Sequence, residues 1–142
     1  MLSSPQVVEA SSDARPASAV VSWLHRDGLW RVSIVSPAFG RFEASADDAF
    51  EALCRVREEL DAGGWRVGVA GAQSNVWPSG MARDQGGGLT AYRMTEDGVV
   101  GVVDTFAPVD PATTVPVAEQ RREADRLLAA IARRGATGAG EP

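Results

Sequence analysis

Apolar and polar residues alternate along two runs near the start of the chain. Residues 20–26 read VVSWLHR and residues 29–35 read LWRVSIV, with Asp-Gly between them. Alternation predicts half-buried strands, and Asp-Gly between two such runs favours a type I′ hairpin turn because both central residues need positive φ. A two-residue turn pairs His25 with Trp30 across the hairpin. The same register places six residues on one mostly apolar face: Val21, Trp23, His25, Trp30, Val32 and Ile34.

Two later segments repeat apolar residues at three- and four-residue steps, which predicts amphipathic helices. The first helix follows Ser45 as N-cap, with Asp48 completing a capping-box pattern, and a Gly-Gly pair stops it. The second follows Thr114 as N-cap and ends at Gly135. The apolar stripe of the first helix comprises Ala46, Ala49, Phe50, Leu53, Val56 and Leu60, and that of the second comprises Val117, Ala124, Leu127, Leu128 and Ile131.

Four shorter segments complete the predicted elements. Residues 41–44 and residues 65–71 form single strands, while residues 89–94 and 99–106 form a second hairpin around a turn-like Thr-Glu-Asp-Gly. The element order βββ-α-βββ-α predicts an α+β fold. We expect a single-domain two-layer sandwich, with an antiparallel or mixed sheet of five or six strands and both helices packed on one face.

The composition of the two ends differs from that of the middle. Residues 1–18 are rich in Ser, Ala and Pro without a period, and we expect a flexible N-terminal arm. Residues 136–142 read ATGAGEP, which predicts a disordered tail. The folded domain is then expected to span residues 19–135.

Charge and cysteine content narrow the functional classes. The net charge is −5 and the pI is about 4.8, which disfavours nucleic-acid binding by phosphate neutralisation and suits a basic protein partner. Cys54 is the single cysteine, so no intrachain disulfide can form. The sequence shows neither a signal-peptide pattern nor an apolar run long enough for a membrane span. We therefore expect a cytoplasmic protein.

The stretch between residues 71 and 92 follows neither helix nor strand periodicity over most of its length. A connection this long inside a compact domain is typical of a binding loop, a lid or a disordered segment. Trp and Arg are enriched at interface hot spots, and glycine frees the backbone. The candidate binding residues are Trp77, Ser79, Met81, Arg83, Asp84, Gly86, Gly87 and Tyr92.

Two features of this stretch have alternative interpretations. Trp77 and Met81 either tuck into the core or face a partner. The glycine cluster of residues 86–88 either lets the chain turn and pack closely or, with Arg83, cradles an anion. The cluster matches neither a P-loop, since no Gly-Lys-Ser/Thr follows, nor the dinucleotide fingerprint, which needs a strand–turn–helix context.

No catalytic or metal site is predicted, and no cofactor is expected. His25 is the only histidine and falls on the apolar face of the hairpin, where we expect a partly buried packing role. Cys54 flanks the apolar stripe of the first helix and is interpreted as a small packing residue. One histidine and one cysteine supply too few nitrogen and sulfur ligands for structural zinc. No spacing brings Asp84 close to another carboxylate for acid–base work.

The same stretch contains a distinctive series of residues. They are Gly71-Ala72, Pro78-Ser79-Gly80-Met81, Arg83-Asp84, Gly86 to Gly88 and Ala91-Tyr92. This pattern resembles a motif of small uncharacterised bacterial α+β proteins. Some small acidic proteins of this kind are similar to immunity proteins of bacterial toxin systems, so the resemblance implies a protein-binding role.

Two functional hypotheses follow. The leading one is a small non-catalytic protein-interaction module, an immunity-type inhibitor of a basic partner that Trp77, Met81 and Arg83 anchor. Acidic residues on the outer face of the first helix would steer that partner: Asp48, Glu51 and Glu58. The alternative is a small-molecule or nucleotide-binding module whose glycine cluster closes over an anion. Exposed edge strands also make a homodimer possible.

Overall fold

The computed structural model describes residues 2–139 of the chain, with side chains described through residue 135. Over this part of the chain there are eight strands, three helices and two short 3₁₀ turns, at Ala70–Ala72 and Pro111–Thr113. The strands are β1 (Gln6–Ser12), β2 (Arg15–Arg26), β3 (Leu29–Ser36), β4 (Gly40–Ala46), β5 (Arg66–Val67), β6 (Val76–Trp77), β7 (Thr90–Thr95) and β8 (Gly98–Asp104). The helices are α1 (Ala49–Ala62), α2 (Gly80–Asp84) and α3 (Val117–Ala139).

The strands form two antiparallel sheets. The large sheet has the order β4-β3-β2-β1-β5, and the small sheet has the order β6-β7-β8. The main core lies between α1 and one face of the large sheet, where Val21, Ile34 and Leu53 are fully buried. The α+β class is confirmed. The predicted single sheet is not observed, because the last three strands pair only among themselves. The predicted order βββ-α-βββ-α is not observed either, since β1 precedes the first predicted strand and α2 lies between β6 and β7.

The Asp-Gly hairpin forms in the predicted register. His25 pairs with Trp30, and Asp27 and Gly28 adopt φ values of 55° and 79°, as a type I′ turn requires. The predicted apolar face is fully buried away from the turn, at Val21, Val32 and Ile34. His25 lies nearer the turn and is exposed, with its ring stacked on Trp30 at 4.8 Å. The expected partly buried histidine is therefore corrected to an exposed one.

Residues 6–18 do not form the flexible arm that we expected. β1 pairs with β2 along its full length, and the two strands turn at Asp13 and Ala14, both at positive φ. The buried positions of the pair are filled mainly by small side chains, at Val8, Ala10 and Ala19. Alanine and serine have little strand preference. Buried and exposed positions therefore alternate along β1 without a visible alternation of strongly apolar and polar residues in the sequence.

The second predicted hairpin is confirmed as β7 and β8, which turn at Glu96 and Asp97. The predicted strand over residues 65–71 is reduced to the two residues of β5. The chain leaves the large sheet at Gly68, where a Cβ atom would lie only 2.2 Å from the carbonyl oxygen of Val109. That close approach ends β5 and directs the chain toward the 3₁₀ turn at Ala70–Ala72.

The predicted apolar stripe of α1 is confirmed within the helix, where Ala49, Phe50, Leu53, Val56 and Leu60 are buried, whereas its first predicted member, Ala46, is buried at the end of β4. The cap differs from the prediction. Asp48 is the N-cap, and its Oδ1 accepts the N–H of Glu51 at 2.8 Å. Ser45 is not the cap because β4 continues to Ala46 and pairs Ser45 with Arg31 of β3. The start of α1 is therefore set by the end of β4.

α3 also begins at a different residue from the one predicted, since Thr114 is not its N-cap. The N–H of Val117, its first residue, donates to Asp61 Oδ2 of α1 at 2.9 Å. Thr114, the predicted N-cap, instead donates its hydroxyl to the carbonyl oxygen of Pro111. The carboxylate that satisfies the start of α3 thus comes from a neighbouring helix, which local sequence does not reveal.

The C-terminal end departs from expectation as well. α3 continues past Gly135 to Ala139, in place of a disordered tail from residue 136. The predicted tail residues 140–142 lie outside the described part of the chain. Within residues 2–139, no helix combines the length and the apolar composition needed to cross a bilayer.

One arginine of α1 lies inside the protein. Arg57 is 3% exposed, and it donates to Gln120 Oε1 at 2.5 Å and to the carbonyl oxygen of Val115 at 2.6 Å. Gln120 in turn donates its Nε2 to the carbonyl oxygens of Gly71 and Val76, both at 2.8 Å. Burial lowers the pKa of Arg57 from its ordinary value. The network joins α1, the chain before β6, β6 itself and α3.

Replacing Gln120 by leucine should destabilise the protein by about 2–4 kcal/mol, because a buried guanidinium loses an acceptor and two buried carbonyls lose a donor. Urea unfolding measures the change. Gln85→Leu is the matched control, since Gln85 is exposed and its replacement should change stability by less than about 0.5 kcal/mol. Equal effects of the two substitutions would contradict the importance of the network.

Candidate functional site

The stretch between residues 71 and 92 is ordered into pieces too short to show a period. They include the 3₁₀ turn, the two-residue β6 and the five-residue α2. α2 begins after Ser79, whose Oγ accepts the N–H of Ala82 at 3.0 Å. We call residues 79–88 the α2 segment. It is a capped helix followed by a tight turn, so the stretch is ordered and is not a disordered loop.

Arg83 fastens the α2 segment to the start of α1. Its Nη1 lies 3.1 Å from Asp48 Oδ2 and 3.7 Å from Glu51 Oε2. The guanidinium also lies over the rings of Phe50 and Trp77, 5.3 and 5.4 Å from their centroids. Ion pairs and cation–π contacts together fix the orientation of a partly buried side chain. The charge of Arg83 is therefore committed within the chain.

The two large apolar side chains of the stretch have opposite environments. Trp77 is partly buried and lies edge-on to Phe50, with ring centroids 5.2 Å apart. Met81 is 69% exposed on α2. The two interpretations, packing on the core and facing outward, therefore apply to different residues: Trp77 packs on the core, and Met81 faces solvent.

The glycine cluster is packed closely against α1 and the large sheet. Gly87 and Gly88 adopt φ values of 66° and 73°, which side chains rarely tolerate. A Cβ at Gly87 would lie 2.5 Å from Cζ2 of Trp30, and one at Gly88 would lie 2.7 Å from the backbone nitrogen of Phe50. Only a hydrogen atom fits at either position.

The polar groups of the cluster are also used within the chain. The N–H groups of Gly86 and Gly88 donate to the carbonyl oxygen of Ala82, at 3.1 and 2.9 Å, and the carbonyl of Gly87 accepts the N–H of Ala49 at 2.7 Å. An anion cradle needs N–H groups that point at the ligand. Because these donors already have partners, the geometry favours close packing over anion binding.

The acids expected to steer a partner are held by arginines. Asp48 is 7% exposed and caps α1. Glu51 Oε1 lies 3.3 Å from Arg121 and 3.8 Å from Arg55, and Glu58 Oε1 lies 3.4 Å from Arg121. Exposed ion pairs contribute little to stability, but these lower the net charge of the face. Asp48 is a structural residue, and the expected acidic face is largely neutralised.

The remaining candidates divide between two elements. Asp84 and Gly86 are exposed in the α2 segment with Met81, whereas Tyr92 lies on β7, opposite Trp77 of β6. Sequence reasoning missed Val102, which pairs with Tyr92 from β8 and is 63% exposed. The available signal was the run GVVGVV, which is apolar on both faces of a strand.

Cys54 packs inside the protein, as predicted. It is fully buried in a cluster with Phe50, Val76, Ala91 and Val117. Burial, partly offset by the charge of Arg57, raises the pKa of the thiol to about 11. Within residues 2–139, no three His, Cys, Asp or Glu side chains are grouped so that they could hold a metal ion.

Comparison with known proteins does not identify the motif within residues 71–92. No protein-family model matches the chain, and no curated protein is significantly similar to it in sequence. The resemblance to small bacterial α+β proteins and to immunity proteins therefore stays a prediction.

Gly88→Ala should destabilise the protein by about 2–4 kcal/mol, because the new methyl group meets the backbone of α1 at a φ that alanine disfavours. Chemical unfolding measures the loss. Gly80→Ala is the control: no atom lies within 4 Å of its Cβ position, and the helical site should gain up to about 1 kcal/mol. A Gly88→Ala protein as stable as the wild type would contradict the close packing.

The buried thiol should make stability depend on pH in alkaline solution. Above pH 9 the thiol ionises in the unfolded chain, whereas the folded chain keeps its proton until about pH 11. The native state then binds more protons, so the free energy of unfolding should fall by about 2 kcal/mol between about pH 8 and about pH 10.5. Cys54→Ala should lack this part of the decrease, as urea unfolding at both pH values would show. Parallel pH profiles would contradict the raised pKa.

Proposed function

We propose that the chain is a small non-catalytic interaction module that binds a partner protein through the α2 segment. The observation that supports this most directly is the position of Met81, 69% exposed on a short helix that Arg83 holds against α1. A flexible, polarizable thioether adapts to varied apolar surfaces. Methionine is also among the residues enriched at protein–protein interfaces relative to the rest of the surface.

Preorganisation adds to the case for a protein partner. Ser79 caps α2, Arg83 ties it to Asp48, and Gly87 carries a backbone hydrogen bond to α1. A helix that is already ordered loses little conformational entropy on binding, so more of the contact energy becomes affinity. In this proposal Trp77 and Arg83 act indirectly, by holding the α2 segment so that Met81 can contact the partner.

The chemistry of the partner follows from charge. The chain carries a net charge of −5, and Asp84 is exposed one turn along α2 from Met81. A basic protein surface with an apolar pocket would complement this pair. An immunity-type inhibitor that neutralises a basic toxin in the cytoplasm is the specific form suggested by the sequence resemblance.

A small-molecule or nucleotide site in the same segment is the weaker proposal. Arg83 would have to leave Asp48 and Glu51 to meet an anion, and the N–H groups of Gly86 and Gly88 would have to leave Ala82. Each exchange costs an existing interaction, so protein binding remains the leading proposal.

Met81→Ala should weaken partner binding without unfolding the protein. The experiment captures partners from native cell extract with wild-type bait, purifies the captured protein and titrates it by calorimetry against the variants. We expect Met81→Ala to bind at least about tenfold more weakly, a loss of about 1.4–3 kcal/mol, because truncation removes a central apolar anchor.

Leu128→Ala is the matched control, since Leu128 is an exposed apolar residue of α3, outside the α2 segment. It should bind as wild type does. Equal affinity of wild type and Met81→Ala, with both proteins folded, would contradict docking through the α2 segment.

A further inference from the structure

The small sheet ends in an unprotected edge. β8 is hydrogen-bonded to β7 and forms the last strand in the order β6-β7-β8. Natural edge strands are usually short or carry charges or proline that discourage pairing with another chain. β8 is seven residues long and reads GVVGVVD, without proline and without charge before Asp104.

The edge presents an apolar surface to solvent. Val99, Val100 and Val102 are 49%, 61% and 63% exposed, and Tyr92 of the neighbouring strand is also exposed. The β7–β8 pairing slips by one residue between Arg93 and Met94, which leaves Val100 as an extra residue in β8. Such a bulge breaks the alternation of faces, which explains why two consecutive valines are exposed. The result is a continuous apolar patch along an open strand.

The sequence of this edge is complementary to itself. Val99 and Val102 are both exposed and, because Val100 is the extra residue of the bulge, they point to the same face of the small sheet on either side of Gly101. In an antiparallel pair of identical strands with a two-fold axis at Gly101, Val102 therefore faces Val99 of the second copy. A two-fold interface requires one surface to match its own copy, and this strand meets that condition.

Other registers are less favourable. An axis at Val102 would place Asp104 opposite Val99 of the second copy, and an axis at Val100 would fall on the bulge, where the hydrogen-bond ladder is disrupted. With the axis at Gly101, Asp104 instead lies opposite Asp97 of the hairpin tip, which is exposed and paired with Arg134. Asp104 then stays at the solvated rim, which costs less than burying its charge against valine.

The hairpin tip adds no strong repulsion between copies. Glu96 is paired with Arg126 and Asp97 with Arg134, both from α3 of the same chain. These are the acidic residues nearest to the valines on the turn side of β8. Because each has a cationic partner, two tips can approach the same interface with reduced net charge.

We propose that two copies of this chain pair through β8, antiparallel and with the two-fold axis at Gly101. The small sheets of the two copies then form one six-stranded sheet, and the exposed valines of each copy are covered by those of the other.

Sedimentation velocity over a concentration series tests the association. Wild type should rise from 14.9 kDa toward twice that mass, whereas Val102→Lys should stay at the monomer mass or associate at least about tenfold more weakly, because an edge lysine must be desolvated on pairing. Val20→Lys is the matched control, an exposed valine on the large sheet, and should associate as wild type does. A wild type that stays monomeric up to about 1 mM, or a Val102→Lys that associates as wild type does, would overturn the proposal.

Disulfide trapping tests the register independently of Val102. Thr105, which follows β8, donates its N–H to the carbonyl oxygen of Leu89, which precedes β7. By alternation along β8, Gly101 also directs its backbone polar groups toward β7. Facing a second copy, two Gly101 residues would be a non-hydrogen-bonded pair with Cα atoms about 4.5 Å apart, within disulfide range. Nothing lies within 4 Å of the Cβ position at Gly101, so Gly101→Cys fits the monomer. It should form a covalent dimer under mild oxidation.

Val99→Cys is the control on the same strand. In the proposed register two such residues are diagonal neighbours on either side of the Gly101 pair, with Cα atoms about 8 Å apart, which exceeds the disulfide limit of about 7 Å. The native Cys54 is fully buried, so only the introduced thiol reacts. Cross-linking of Val99→Cys as fast as Gly101→Cys, or of neither, would overturn the register.

Discussion

The buried guanidinium of Arg57 is the constraint on which the arrangement of this chain depends. A charge inside a protein is tolerated only when hydrogen bonds replace its hydration. Here the replacements are the Gln120 amide oxygen and the carbonyl oxygens of Gly71, Ala72 and Val115. Those groups belong to two segments far apart in sequence. Satisfying one side chain of α1 therefore fixes where the chain before β6 and the chain before α3 must run.

A second contact of α1 holds the other end of the same stretch. Arg57 binds the chain at residues 71 and 72, and Asp48 binds Arg83 of the α2 segment. The two α1 residues are nine positions apart, which is about 13 Å along a helix. The stretch between the sheets is thus attached to one helix at two points. That double attachment, together with the glycine packing beneath Trp30 and Phe50, is what holds Met81 outward on an ordered support.

Elements with a complete local pattern could be predicted from the sequence. The Asp-Gly hairpin was right to the residue pair because turn geometry and alternation agree, and the α1 stripe was right because its period extends over the whole helix. β1 could not be recognised, since only Val8 and Ala10 are buried on it and the small, polar residues around them give no clear alternation of apolar and polar positions. The pairing of strands into two sheets was also out of reach, because it follows from distant contacts and close approaches such as that at Gly68.

The candidate site shows the same division. Adjacency in sequence was enough to group Ser79, Met81, Arg83 and Asp84 in one stretch, although it did not predict the helix α2. It could not show that the partner of Arg83 is the cap of α1, 35 residues away, or that Trp77 would pack inward while Met81 would not. For the same reason Asp48 was interpreted as a surface acid. Its role depends on an arginine that only the folded chain brings to it.

The double attachment also determines how the protein can fluctuate. Loops with few buried contacts usually open independently of the core, and their amide protons exchange with solvent much faster than those of the core. The α2 segment cannot swing away without breaking the ion pair of Arg83 with Asp48, the cap of α1, and the hydrogen bond from Ala49 to Gly87. We therefore expect it to open together with the start of α1, so that a surface that looks like a connecting loop in the sequence exchanges its amide protons more slowly than a loop without such contacts.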